Sequence, residues 1–156
     1  MTTGYEEFLP EIKAAVMSFI DKVPFNQLVG MKITNVTPNL VEMHLPMKEE
    51  LIGNYITGIL HGGVISSMID VSGGAMALVG AFCKLEHVDI QERIQRLARV
   101  STIDLRVDYL RPGRGEGFYV NSTLLRSGNK VAVTRSEFYN NRNDLCAVGT
   151  GTYLCG

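Results

Sequence analysis

The sequence predicts an α+β domain: a curled antiparallel sheet of five to six strands around one long central helix, with an N-terminal helix added. Three observations carry this. Residues 62–82, GGVISSMIDVSGGAMALVGAF, contain no proline and one charge, Asp70, and are too long for a strand. Residues 102–109 alternate apolar and polar positions, as a half-buried strand does. The remaining C-terminal segments return to the same period of two, separated by turn residues.

The elements follow in order. In residues 5–22 the apolar groups Phe8, Leu9, Ile12, Val16, Phe19 and Ile20 recur at helical spacing, and Pro24 stops the helix. From Met31 the period shortens. Ile33 and Val36, then Val41, Met43 and Leu45, read as two strands joined at Pro38-Asn39, a hairpin. Residues 51–61, with Gly53, Asn54 and Gly58, read as a loop. The segment 62–82 has poor helix propensity, since Gly73, Gly74 and Gly80 each cost about 1 kcal/mol against alanine. Its small residues, Ser66, Ser67, Ser72, Gly73, Gly74, Ala75 and Ala77, admit other backbone closely. Its all-round apolar surface predicts burial on every side.

A bilayer span is the rival reading of this segment, and Asp70 near its centre opposes it at roughly 2.5–3.5 kcal/mol. Residues 86–100 are charged and predict a loop with a short exposed helix. In residues 102–109, Ile103, Leu105, Val107 and Tyr109 share one face, and Thr102, Asp104, Arg106 and Asp108 the other. Arg111-Pro112-Gly113 ends that strand. Strands over 118–126, 131–139 and 147–154 complete the set, with Ser127-Gly128-Asn129 as a tight turn built on residues that tolerate positive φ. The edges of such a sheet call for pairing with a second copy.

Composition narrows the function classes. The chain has 156 residues, read as a single domain over 1–156. Hydrophobic residues are 46% and charged residues 20%, which excludes a disordered chain. Lys plus Arg is 15 and Asp plus Glu 16, so no global field exists to hold nucleic acid. No signal-peptide pattern is visible. Cys83, Cys146 and Cys155 are odd in number and suit neither paired disulfides nor a zinc site, which predicts reduced thiols and a cytoplasmic location. The seven methionines read as core filler. No nucleophile elbow, phosphate-binding loop, zinc-protease or dinucleotide motif is present, so neither a metal nor a cofactor is expected.

Chemistry concentrates at two places. His61-Gly62-Gly63 opens the long helix, where uncovered N–H groups and the helix dipole suit an anion or a developing oxyanion. Asp70 lies two turns further on, in a segment otherwise without charge, where a carboxylate needs partners or chemistry. Bonding to neighbouring hydroxyls would satisfy it equally. The second place is the basic set Arg111, Arg114, Arg126 and Lys130 beside turns at strand ends, which suits phosphate groups or plain solvation.

The blocks ILHGGVISSMIDVSGGAMALVG, STIDLRVDYLRPGRGEGF and LLRSGNKVAVTRSEFYN, with VPFNQLVGM before them, closely resemble the PaaI-like group of hotdog-fold thioesterases, and within it the YigI-type acyl-CoA thioesterases. The resemblance implies a homodimer, paired again into a homotetramer, with active sites shared across the dimer seam. It implies that the Gly62 N–H meets the thioester carbonyl, that His61 positions this loop or touches the carbonyl side, and that Asp70 of the other subunit is nucleophile or general base. Thr102 falls where such enzymes orient the attacking water, and Asn54 is the candidate for an asparagine ahead of the histidine. The substrate implied is medium- to long-chain acyl-CoA. Gly63, Arg111, Arg114, Arg126 and Lys130 would meet coenzyme A, which enters as part of the substrate. An aryl-CoA thioesterase and a non-catalytic acyl-CoA-binding protein of this fold are the alternatives. Hotdog dehydratase motifs are absent.

Overall fold

The computed structural model describes residues 5–85 and 87–156. Helix α1 (Tyr5–Asp21) buries Ile12, Val16 and Ile20, spaced four residues apart, against the sheet and the central helix. Phe19 sits on its margin and stays exposed, and the side chains of Phe8 and Leu9 lie outside the described residues. Pro24 does more than stop α1. It opens a second helix, α2 (Pro24–Val29), because a first-turn residue has no use for the N–H that proline lacks.

Strands β1 (Lys32–Val36) and β2 (Val41–Pro46) form the hairpin that alternation predicts, with Ile33 opposite Met43 and Val36 opposite Val41. The segment read as a loop is more ordered than its glycines suggest. A 3-10 turn (Glu49–Leu51) leads into a two-stranded ribbon, β3 (Ile52–Asn54) and β4 (Ile59–Leu60), too short to show a period in sequence.

The central helix, α3 (Gly62–Lys84), packs against β2 and four later strands: β5 (Ser101–Tyr109), β6 (Gly117–Ser127), β7 (Val131–Asn140) and β8 (Leu145–Leu154). The main sheet is antiparallel throughout in the order β1-β2-β6-β7-β8-β5. A helix about 10–12 Å wide reaches strands spaced about 4.8 Å apart across such a span only if the sheet curls round it.

Burial of α3 is not all-round as predicted. Ser66, Ser67, Asp70, Val71 and Gly74 form a stripe that is only half-buried, because the sheet covers the opposite side and the α1–α2 corner reaches only part of this one. Although α3 is long and apolar enough to cross a membrane, most of it is buried within the fold. The buried side is packed with Ile65, Met68, Ile69, Met76, Leu78 and Phe82, and Met31 and Met43 add to the same core.

Helix α4 (Ile90–Leu97) is the short charged helix expected after α3, capped by Asp89 and carrying a Glu92–Arg96 ion pair at 2.7 Å. The β6–β7 turn differs from expectation in one detail. Gly128 does not have positive φ; it is required because its N–H approaches the Val131 carbonyl at 2.8 Å, where a Cβ would collide with that oxygen. Among the described non-glycine residues, positive φ falls on Asn143, in the β7–β8 turn.

Candidate active site

The start of α3 is held from three sides. The His61 N–H donates to the Leu51 carbonyl at 2.8 Å, and Gly53 of β3 lies so close that a Cβ there would sit 2.5 Å from His61 Cα. The His61 Nδ1 accepts the Gly63 N–H at 2.8 Å, so the imidazole is the N-cap of α3. Tyr109 stacks its ring edge on Gly62 and donates its hydroxyl to the Gly62 carbonyl at 2.8 Å.

These contacts divide the two glycines. Both backbone groups of Gly63 are occupied, its N–H by His61 and its carbonyl by the hydroxyls of Ser66 and Ser67 at 3.0 and 2.7 Å. The Gly62 N–H donates to no protein group among the described residues, and it points from the positive end of a 23-residue helix.

Asp70 lies eight residues along the same helix, about 12 Å up its axis at 1.5 Å per residue. Its Oδ1 accepts the Thr102 hydroxyl at 2.8 Å. The strand that supplies Thr102 does so through an irregularity. Simple alternation puts Ile103 with Leu105, Val107 and Tyr109. In the structure β5 slips register between Thr102 and Asp104, so Thr102 pairs with Tyr153, Leu105 with Gly151 and Val107 with Gly149. Ile103 is the extra residue of a β-bulge and is exposed, while Thr102 joins the inward face. The hydroxyl partner that a bland reading of Asp70 requires and the residue suggested by resemblance are therefore the same group.

A cleft of about 200 Å³ opens beside this carboxylate. Asp70, Thr102 and Ser101 form its polar side; Val71, Ala75, Leu78 and Val100 line its floor, and Phe19, Val23 and Phe25 of the α1–α2 corner form its wall. Sequence reading missed this wall and missed Tyr153. The glycines at 73, 74, 149 and 151 were the available sign of a close approach.

The other candidates are placed less centrally. The Asn54 Oδ1 accepts the N–H groups of Ile56 and Thr57 at 3.1 and 3.3 Å, closing the β3–β4 turn. Arg114 donates to the Thr57 carbonyl at 3.2 Å and Arg111 to the Leu145 carbonyl at 3.0 Å. The 111–114 loop also carries Gly113, whose carbonyl accepts the Leu60 N–H, which puts this pair at the start of α3. Arg126 and Lys130 flank the β6–β7 turn, where the Ser127 carbonyl accepts from Lys84 at the end of α3. The four cations therefore do not converge within one chain; they divide between opposite ends of a helix about 35 Å long.

The three cysteines are thiols. Burial pushes the Cys146 and Cys155 thiols above their ordinary range.

Comparison with known proteins agrees with this architecture. The thioesterase superfamily matches residues 57–147, from the β3–β4 turn into β8. The medium/long-chain acyl-CoA thioesterase YigI of Escherichia coli strain K12 is 43% identical over 138 residues, covering 88% of this chain and 89% of that one. The Salmonella typhimurium protein of the same name is 41% identical over the same share. A crystal structure of a Shewanella oneidensis protein related to the thioesterase superfamily superimposes with a TM-score of 0.87 at 41% identity, covering 97% of both chains. With the family match, the sequence identity and the superposition in agreement, this chain belongs to the thioesterase superfamily and has its hotdog fold.

Proposed function

We propose that the protein hydrolyses medium- to long-chain acyl-CoA thioesters to the free acid and coenzyme A, at sites built by two copies of the chain. The carrying observation is that Asp70, held by Thr102, stands at the edge of an apolar cleft. A thioester carbon needs a nucleophile in line and a donor on its oxygen. Within one chain the Gly62 N–H and Asp70 are about 12 Å apart along the helix, too far to flank one carbon. The Gly62 amide of one copy and Asp70 of another supply both groups. The exposed β5 edge, with Ile103 and Tyr109 on it, is where the second copy pairs.

In this reading Asp70 takes a proton from water as hydroxide adds to the carbonyl carbon, and the Gly62 N–H receives the oxyanion. Collapse of that intermediate breaks the C–S bond, and the proton passes to the departing thiolate. Direct attack by Asp70 to form an anhydride is the other route the same groups allow. His61 fixes the Gly62 peptide through its cap to Gly63. Asn54 serves the loop by closing its turn. Arg111 and Arg114, at the start of α3, suit the coenzyme A phosphates of the thioester bound there. Arg126 and Lys130, at the other end, reach a coenzyme A only from the partner copy. The apolar cleft takes the acyl chain. Reduced thiols fit a cytoplasmic setting.

The test is thiol release from acyl-CoA substrates of graded length, with an aryl-CoA included. Turnover is expected to rise with acyl length into the medium or long range. Absence of turnover on every acyl-CoA would overturn the reading, and activity confined to the aryl substrate would move it to the aryl-CoA class.

A further inference from the structure

We infer that Tyr153 is a positioning residue for the Asp70 carboxylate, an inference that rests on the function proposed above. Its hydroxyl donates to the Asp70 main-chain carbonyl at 3.0 Å. That carbonyl lies inside α3, where the N–H four residues on already provides a helical partner, so the phenol is not needed to satisfy it. A phenylalanine would fill the same space. The oxygen therefore adds position to packing.

The surroundings are built to admit that oxygen. A Cβ on Gly73 would sit 2.4 Å from the Tyr153 hydroxyl, and one on Gly151 would sit 2.5 Å from it. Helix and strand both carry glycine where the ring passes, and the helix accepts the propensity cost of Gly73. Tyr153 is 1% exposed. Burial first, and the nearby Asp70 charge second, push its ionisation far above the usual tyrosine range, so it remains a neutral donor at any working pH.

The same strand pair also grips the Asp70 side chain. Thr102 lies directly opposite Tyr153 in the β5–β8 ladder, and the bulge at Ile103 turns Thr102 inward. One member of this pair holds the carboxylate and the other holds the backbone that carries it. Together they fix the helix residue along and across its axis. Reaction rates are sensitive to such placement, since a displacement of about 1 Å can cost on the order of 100-fold.

The experiment is steady-state kinetics of Tyr153→Phe on an acyl-CoA that the wild-type protein turns over, with thermal melts of both. The expected result is a kcat lower by about 5- to 20-fold, KM within about twofold, and a melting temperature well above that of the assay. Gly73→Ala displaces the same oxygen, and Thr134 Oγ1 with it, while keeping the tyrosine, so where its melt shows it folded it carries the test if Tyr153→Phe fails to fold, and it should reproduce the kcat loss. Thr102→Ser, which retains a hydroxyl, should recover most of the activity lost in Thr102→Ala. Folded Tyr153→Phe or Gly73→Ala with wild-type kcat would overturn the inference while leaving the hydrolase reading intact. A wild-type protein without turnover on any acyl-CoA would remove the hydrolase reading and this role with it.

Discussion

The two halves of α3 have similar composition and opposite duties. From Gly62 to Val71 the helix keeps a half-buried stripe and spends its polar groups on named partners: His61 on Gly63, the serines on the Gly63 carbonyl, Thr102 on Asp70. From Ser72 to Phe82 it is buried almost throughout. The hydroxyl of Ser72 meets Ser122 at 2.7 Å, and Ser122 meets Ser136 at 2.6 Å, a sealed chain linking helix to sheet. The difference teaches that glycine and serine in one helix serve two ends. At its start they leave donors available; further along they let the sheet come close.

Substitutions at Asp70 and at Met76, one in each half, should therefore separate activity from stability. The largest effect belongs to Asp70→Asn, which keeps the shape and removes the proposed base. Turnover of acyl-CoA should fall by about 10²–10⁴-fold, with a melting temperature near that of the wild type. Near-normal turnover would break the contrast at its active end. Met76→Ala, in the buried half, should do the reverse. It opens a cavity at a fully buried position and should cost about 2–5 kcal/mol, read as a melting temperature lower by about 5–15 °C, with little change in kcat per folded molecule.

The smallest effect concerns thiol chemistry. Cys146 and Cys155 are buried and their ionisation is raised, so at pH 8 they hold less thiolate than an ordinary cysteine. Alkylation of both should be slow in the native protein and fast in denaturant. Rapid native labelling of either would show that its own end of β8 opens more readily than the packing implies.

Much of this fold is legible as periodicity. The spacing in α1, the alternation in β1 and β2, and the proline-free run of α3 follow from how side chains leave a helix or a strand, a property local to the chain. His61, Gly62 and Asp70 were visible for a related reason: glycines before a helix, and a lone charge within an apolar one, contradict their surroundings.

Tertiary structure decided the rest. Alternation alone turns Ile103 inward; the β5–β8 pairing inserts a bulge and turns Thr102 inward in its place. Four cations looked like one set, yet a long helix carries them to opposite ends. Tyr153 carries no signal in the sequence beyond its place in a strand; Gly73 and Gly151 leave room for its hydroxyl at Asp70. Composition and period determined which of the longer segments became helix and strand, since those depend on neighbours in the chain. Register, facing and convergence depend on residues tens of positions apart, and only the packed sheet set them.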